Sequence, residues 1–291
     1  MKKNCFYVLV AAAWMAVSCT TNEIPNQSSS DQAIKIVAHV SPQSKAPQLD
    51  ANGSGSFSKG DVMTLCVVKS ESENFFMDYV YQESNITWGG LSLPESASEV
   101  KIAACYPKQT VAKDGTFQFD ALTASNQDLL LSKAQTVKVG TADAVNLNFE
   151  HALHRLDLTF TPGNGYSAED LNKLSLSVKA STQCTVDAFK GEFKELKSGE
   201  GRYTSTGASA SFYLIPQTTS NVTLDVTIGE QSKTLVLSEL FTKLGNSQTD
   251  LRGGAKCTIT LKVGREGIVV ESGSIGAWEN QVTVDGELTI G

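Results

Sequence analysis

This sequence of 291 residues holds only three histidines, which limits metal sites and acid–base catalysis that depend on histidine. Basic residues are also outnumbered: 24 Lys and Arg face 31 Asp and Glu, which gives a net charge of −7. With no basic run, such a chain is poorly suited to bind nucleic acid. A charged fraction of 19% beside 41% hydrophobic residues argues against global disorder and a coiled coil. The length suits roughly one to three folded domains.

Catalytic motifs are missing as well. Gly273-Ser274-Ile275-Gly276 lacks the spacing of a Gly-x-Ser-x-Gly nucleophile elbow, and no glycine-rich loop ends in Gly-Lys-Ser/Thr. His151 and His154 are close in sequence, but on a strand they would point to opposite faces, and no third ligand is near. We therefore expect no enzymatic activity, no cofactor and no metal, with one of these histidines packed in the interior and the other solvated.

Two features allow both a functional and a structural interpretation. Glu192 and Glu195 could pair as the carboxylates of a glycoside hydrolase, but the lysines around them favour a solvated charged face. Trp88, just before Gly89-Gly90, could stack on a sugar, although a core or turn position is favoured. Trp88 is accordingly the candidate ligand contact.

The N-terminus has the pattern of a bacterial lipoprotein signal peptide. Lys2 and Lys3 precede an apolar stretch over residues 6–17, which is too short to span a bilayer. The stretch ends in Ala16-Val17-Ser18-Cys19, which resembles a lipobox; an ordinary signal peptide with an incidental cysteine is the alternative. We expect removal of residues 1–18 and lipidation of Cys19, which would anchor the protein to a membrane without spanning it.

The cysteines that would remain beyond Cys19 are Cys66, Cys105, Cys184 and Cys257. No two of them are close in sequence, which excludes zinc-type spacing. Disulfides can form beyond the inner membrane. However, Cys257 alternates with Ile259, Leu261 and Val263, which predicts an inward-facing core position. Buried free thiols are therefore the favoured interpretation, and disulfides the alternative.

Most of the chain has the pattern of short β-strands. Residues 19–32 read as a flexible tether, and residues 33–40 form an isolated alternating strand with Ile34, Ile36 and Val40 on one face. A second polar stretch covers residues 41–56. Strands at roughly ten-residue spacing then predict two tandem antiparallel β-sandwiches, an all-β fold. The predicted strands are 62–69, 75–82, 99–106, 116–119, 136–139, 145–149, 156–160, 174–180, 208–215, 222–228, 233–237, 257–263 and 282–290.

Three local patterns refine this organisation. The apolar phase slips by one residue between Leu153 and Leu156, which requires a bulge or a handover between sheets. We place a domain boundary there, with an N-terminal domain over 33–152 and a C-terminal domain over 153–291. Brief helices are expected after the capping-box residue Ser167 and over residues 238–244. Asp285-Gly286 between two alternating runs predicts a terminal hairpin over 282–290.

Several ordered phrases together resemble the fimbrillin family of Bacteroidales, which are lipoprotein precursors of pilus subunits. After the lipobox and the isolated strand, the resemblance covers about residues 33–280 and is carried by phrases rather than by one motif. The phrases are Phe57-Ser-Lys-Gly-Asp61, Val100-Lys-Ile-Ala-Ala-Cys-Tyr106-Pro107, Asp128-Leu-Leu-Leu-Ser132, Asn148-Phe-Glu-His151-Ala-Leu-His-Arg-Leu156, Leu214-Ile-Pro-Gln217 and Ile275-Gly-Ala-Trp278.

The resemblance implies two transthyretin-like β-sandwich domains, export to the cell surface and assembly with other pilus subunits by strand exchange. In the family's shaft subunits, a protease removes the first strand after a basic residue. This chain departs from that pattern, because the linker after residue 40 contains Lys45 but no arginine, and the first arginine is Arg155. Lys45 is the candidate processing point, and a tip, accessory or surface-anchored role is favoured over a shaft role.

The leading hypothesis is therefore a non-enzymatic, outer-membrane-anchored subunit for pilus assembly and adhesion. The alternative is a surface lipoprotein on the same scaffold that binds a glycan or another host or bacterial surface ligand.

Overall fold

The computed structural model describes residues 31–40, 57–70, 73–124, 127–197, 200–277 and 281–290. The first nine strands in these ranges are β1 (Ile36–Val40), β2 (Val62–Ser70), β3 (Glu73–Val80), β4 (Glu99–Tyr106), β5 (Thr116–Asp120), β6 (Leu130–Lys138), β7 (Val145–His151), β8 (His154–Pro162) and β9 (Ser175–Ser181). The next nine are β10 (Gln183–Asp187), β11 (Glu192–Leu196), β12 (Glu200–Thr206), β13 (Ser209–Leu214), β14 (Thr223–Ile228), β15 (Gln231–Val236), β16 (Ala255–Gly264), β17 (Gly267–Ala277) and β18 (Gln281–Ile290).

Helices are few and short. The α-helices are α1 (Ala168–Leu171) and α2 (Leu237–Lys243), and single 3-10 turns cover Gly89–Leu91 and Thr219–Asn221. The predicted capping box is confirmed: the backbone N–H of Asp170 donates to Ser167 Oγ, and the Asp170 carboxylate accepts from the Ser167 N–H. In the described ranges no helix combines the length and apolar character needed to cross a membrane.

A six-stranded sheet forms the first half of the fold, in the order β1-β7-β6-β4-β2-β3. β1 pairs with β7 in parallel, whereas the other neighbours are antiparallel. The sequence explains which side chains are buried, because β7 alternates strictly between buried and exposed residues. One face of the sheet carries a core that includes Met63, Leu65, Ile102, Leu147 and Phe149.

The opposite face of this sheet packs against a three-stranded sheet of order β11-β10-β5. The contact is direct: the Ala134 N–H donates to the Phe189 carbonyl at 2.8 Å, and the rings of Phe76 and Phe189 lie 6.0 Å apart. β10 and β11 follow residue 152 in the chain, yet they help to complete the first sandwich. The boundary drawn at residues 152 and 153 thus separates strands in sequence that pack together in space.

A second sandwich contains a four-stranded sheet, β12-β9-β14-β15, and a five-stranded sheet, β13-β8-β16-β17-β18. β8 and β16 run parallel in the five-stranded sheet. Alternation along β9, β14 and β16 buries one side chain in two, and these side chains share one core with the face of the first sandwich that contacts β5 and β10. The antiparallel sandwich character predicted from the strand spacing is confirmed, with two parallel pairs added.

The phase slip between Leu153 and Leu156 marks a handover between sheets. β7 ends at His151 in the six-stranded sheet, and β8 begins at His154 in the five-stranded sheet. The buried residues Ala152 and Leu153 connect the two strands. The change of parity therefore reports a change of sheet, which was one of the two predicted explanations.

The sequence did not reveal β10, β11, β12 or β17. β11 is largely exposed and carries charged residues, so it has no apolar alternation to detect. β17 contains several glycines and serines, which are poor strand formers on their own. Both strands are held by their neighbours in a sheet rather than by local sequence preference.

The predicted terminal hairpin is wrong. Residues 281–290 form one strand, β18, that pairs with β17 along its length. Asp285 lies opposite Ser272 and Leu288 opposite Val270, so the Asp-Gly pair lies at an irregularity of the strand rather than at a turn. The physical reason is that a short isolated hairpin is marginal in water, whereas the 11 residues of β17 offer a long ladder.

Candidate functional site

The predicted exchangeable strand lies at the edge of the six-stranded sheet. β1 is in register with β7 from Ile36 opposite Val145 to Val40 opposite Phe149. The residues just before it are also bonded, because the Ile34 N–H donates to the Ile86 carbonyl at 2.7 Å and the Trp88 N–H donates to the Gln32 carbonyl at 3.1 Å. The segment thus crosses from a loop to a sheet edge while its backbone stays paired.

Side chains of this segment enter an apolar groove. Ile34 is buried, and Ile36, Ala38 and Val40 are half-buried against the same core. At the end of the strand, the rings of Phe57 and Phe149 lie 4.8 Å apart, and Phe57 also contacts Tyr81 and Tyr106. The three residues that the sequence assigns to the exchangeable strand, Ile34, Ile36 and Val40, all face this groove.

Trp88 belongs to the same groove and not to an exposed surface. Only 3% of its area is accessible, and its indole Nε1 donates to the Thr141 carbonyl at 3.3 Å. A ring buried in this way offers no face on which a sugar could stack, so the structural interpretation holds for this residue. Together with Ile34 and Ile86, it forms the core under the first strand.

The histidines lie where the two sandwiches meet, and both are buried. The expectation that one would be solvated is wrong, because every residue from His151 to Leu156, where β7 passes into β8, is buried. His151 Nδ1 contacts the Asp128 carboxylate, and Asp128 also accepts from the Leu129 N–H at 2.9 Å. Sequence reasoning missed Asp128 as a partner; its signal was a carboxylate placed directly before the apolar run 129–131.

His154 is held differently. Its Nδ1 hydrogen-bonds the Arg252 carbonyl at 3.1 Å, whereas its Nε2 has no partner. Burial lowers the pKa of His154 to about 4, since an imidazolium would lose its hydration there. The backbone also comes close at this point: a side chain on Gly253 would meet the Ala152 carbonyl oxygen at 2.5 Å. Within the described ranges, no cluster of potential ligands that could hold a metal ion is present.

The four cysteines of the described chain are free and buried, as expected. Cys66 and Cys105 face each other diagonally on β2 and β4, and their mutual hydrogen bond, together with burial, raises the pKa of Cys105. Burial raises the pKa of Cys184 to about 12. Burial also raises the pKa of Cys257. Thiols of this kind are poor nucleophiles and serve as packing groups.

The other predicted site residues fall into two groups. Cys19 and Lys45 lie outside the residues that the structure describes, so lipidation and processing stay predictions. Glu192 and Glu195 are exposed on β11, as the interpretation of a charged face requires. That strand borders a cleft between the two sandwiches, which no sequence pattern indicated.

Comparison with solved structures shows the same fold in other proteins. A candidate cell adhesion protein from Bacteroides uniformis superposes with a TM-score of 0.63 at 18% identity, covering 84% of this chain and 99% of that protein. One from Bacteroides ovatus has a TM-score of 0.53 at 15% identity, covering 89% and 99%. A candidate adhesin from Bacteroides thetaiotaomicron has a TM-score of 0.53 at 11% identity, covering 87% and 97%.

No curated protein matches the sequence. The family model described as fimbrillin-like matches residues 51–278, which is most of the chain. The match includes the phrases around Gly60, His151 and Trp278 on which the resemblance rested. The chain therefore belongs to the fimbrillin-like family.

Proposed function

We propose that the chain is a lipid-anchored subunit of a cell-surface fimbrium, in a tip or accessory position, that assembles with other subunits by exchange of β1. The observation that carries the proposal is the placement of β1: an edge strand with its apolar side chains in a groove and its backbone paired to β7. A groove of this kind offers main-chain hydrogen bonds for affinity and alternating pockets for specificity.

The connections of β1 also favour exchange. The strand has only five residues, and it lies between polar stretches, 19–32 and 41–56, that contain no apolar period. Because long polar linkers can release a strand without disturbing the rest of the fold, an equivalent strand from another subunit can replace β1 at little cost. The proposed role is structural and needs no catalytic group.

Deletion of residues 33–40 tests the exchange. We expect the deleted protein either to aggregate through the exposed edge of β7 or to bind a synthetic peptide of residues 31–42, because both supply the missing strand. Binding is measured by fluorescence anisotropy of the labelled peptide, and aggregation by size-exclusion chromatography. Mixing with the full chain should give ladders of polymers on a gel.

Two controls sharpen this experiment. Deletion of residues 22–29 shortens the tether by the same length and should leave the groove filled, with no peptide binding. A scrambled peptide of the same composition should not bind the protein that lacks residues 33–40. A monomer of unchanged thermal stability that binds neither peptide would mean that the segment is only part of the tether.

The anchor is tested by Cys19→Ala. Without the thiol that accepts lipid, the protein should leave the membrane fraction for the soluble periplasmic fraction or accumulate as an uncleaved precursor, since the mature chain would have lost its acyl groups. Cell fractionation and intact mass spectrometry measure the outcome. Cys66→Ala is the matched control, because that thiol is buried in the fold. Unchanged membrane association and processing of Cys19→Ala would contradict the lipid anchor.

A further inference from the structure

A cleft of about 600 Å³ lies where the two sandwiches meet. The edge strand β11 forms one wall, and the end of β7 with the segment around Arg252 forms the other. This volume is in the range of roughly 300–1,000 Å³ that is usual for small-molecule sites, and junctions between packed units are a common place for them. The cleft is separate from the groove that holds β1.

Some charged side chains around the cleft are already neutralised. Glu150 pairs with Lys133 at 3.5 Å, and Lys194 pairs with Asp187 at 3.2 Å. Glu192, Glu195 and Arg252 are exposed on the rim, and their side chains form no ion pair or hydrogen bond with the described residues. The cleft therefore presents carboxylate acceptors on one wall and a guanidinium donor on the other.

Apolar residues also line the cleft. Phe193 is half-buried and packs against the shared core, Leu251 is buried, and Leu196 is 39% exposed. An exposed leucine is unusual here, since it is one of two large hydrophobic residues exposed in the described chain. Apolar surface beside free donors and acceptors suits a ligand that has both C–H faces and hydroxyl groups.

Charge and backbone geometry narrow the class of ligand. Two free carboxylates beside one guanidinium repel phosphates and other strong anions. Addition of a peptide strand to β11 is disfavoured, because the register of β11 against β10 is broken at Lys194 and its side chains are charged. A bulge and charges are features that protect an edge strand from pairing with another strand.

We propose that this cleft binds a neutral saccharide. Hydroxyl groups donate to Glu192 and Glu195 and accept from Arg252, while the C–H face of a sugar ring packs on Phe193. The proposal goes beyond strand exchange and does not depend on it, because the cleft and the groove of β1 use different residues. It also moves the ligand contact expected at Trp88 to a side chain that solvent reaches.

The test uses the full-length protein in detergent and an array of neutral gluco-, manno-, galacto- and xylo-oligosaccharides, with sulfated and sialylated glycans for comparison. We expect binding to at least one neutral series, which titration calorimetry then quantifies. Phe193→Ala and Arg252→Gln should each weaken that binding about tenfold or more, as expected for loss of a ring contact or of a hydrogen bond to a charged group.

Arg265→Gln is the matched control, because it removes an exposed arginine at the far end of β16 and should leave affinity unchanged. Equal melting temperatures of all variants show that the fold is intact. The proposal is overturned if no neutral oligosaccharide binds, if only the charged glycans or a peptide bind, or if Phe193→Ala and Arg252→Gln bind as tightly as the natural chain. None of these results bears on the exchange of β1.

Discussion

At the scale of residues, the buried His154 at the junction of the two sandwiches makes the stability of the fold depend on pH. His154 is fully buried, with one ring nitrogen bonded to the Arg252 carbonyl and the other without a partner. Such a site accepts the neutral imidazole and penalises the charged form. The unfolded chain, by contrast, takes up a proton near the ordinary histidine pKa of about 6.5.

The sign of the pH effect follows from this difference. Because the folded-state pKa of His154 is lowered to about 4, the unfolded chain binds more protons between about pH 6.5 and pH 4. Stability is therefore full above about pH 6.5 and falls as the pH drops through this window. The loss amounts to about 3 kcal/mol at 1.36 kcal/mol per pKa unit.

Replacing His154 by Asn should flatten that part of the pH profile. The variant keeps a short donor for the Arg252 carbonyl but has no group that titrates in the window. Chemical denaturation at a series of pH values from 4 to 7 measures the free energy of unfolding for both proteins. His151 and Asp128 are present in both, so the difference between the two slopes isolates His154. Parallel profiles would contradict this assignment.

At the scale of elements, the strands at sheet edges are the places where another strand could pair with the protein. Eight strands each end a sheet among the described strands: β1, β3, β5, β11, β12, β13, β15 and β18. β1 is short and carries apolar residues, whereas β11 carries charges and a register shift. The first is the strand that we propose is exchanged, and the second has the features that protect an edge against strand addition.

Truncation after Trp278 removes β18 and tests what it contributes. We expect a stable but weakened protein, with a melting temperature lower by several degrees, because β17 loses one of its two partners while it stays paired with β16 and the core residues Ile268 and Val270 keep their other contacts. Thermal unfolding measures the change, and light scattering should detect self-association through the newly exposed edge of β17. A truncated protein with an unchanged melting temperature would show that β18 does not close its own sheet.

At the scale of the whole molecule, the two sandwiches depend on each other. One core runs from Phe117 and Leu131 in the first sandwich to Leu158 and Cys257 in the second. β10 and β11 belong to the second half of the chain in sequence, but they share a sheet with β5 and complete the first sandwich. Cooperative unfolding of the full chain in a single transition is therefore expected.

Residues 33–152 expressed alone should not fold into a compact unit. Without β10, the strand β5 has no partner, and the face formed by Cys66, Leu131 and Phe119 is exposed. The fragment should bind a hydrophobic dye and lack a cooperative thermal transition, which fluorescence and circular dichroism measure. A fragment that unfolds cooperatively and binds no dye would establish an independent first domain.

Alternation of side chains was enough to predict much of this fold. β7, β9, β14 and β16 follow runs in which every second residue is apolar, and the structure buries those residues. The phase slip between Leu153 and Leu156 predicted a bulge or a handover between sheets, and the structure shows the handover. Ile34, Ile36 and Val40 were assigned to the correct face. These features depend on neighbours along the chain, so the sequence contains them.

Other features depend on neighbours in space. The Asp-Gly pair at residues 285 and 286 indicates a turn in isolation, but the ladder along β17 makes it part of a strand. The pairing of β5 with β10 and the cleft beside Phe193 bring together residues far apart in the chain. By itself the sequence determined most of the strands, their buried faces and the family. Only the tertiary structure decided which strands share a sheet and formed the strands that lack a local signal, because strand pairing and burial depend on residues that are distant in the chain.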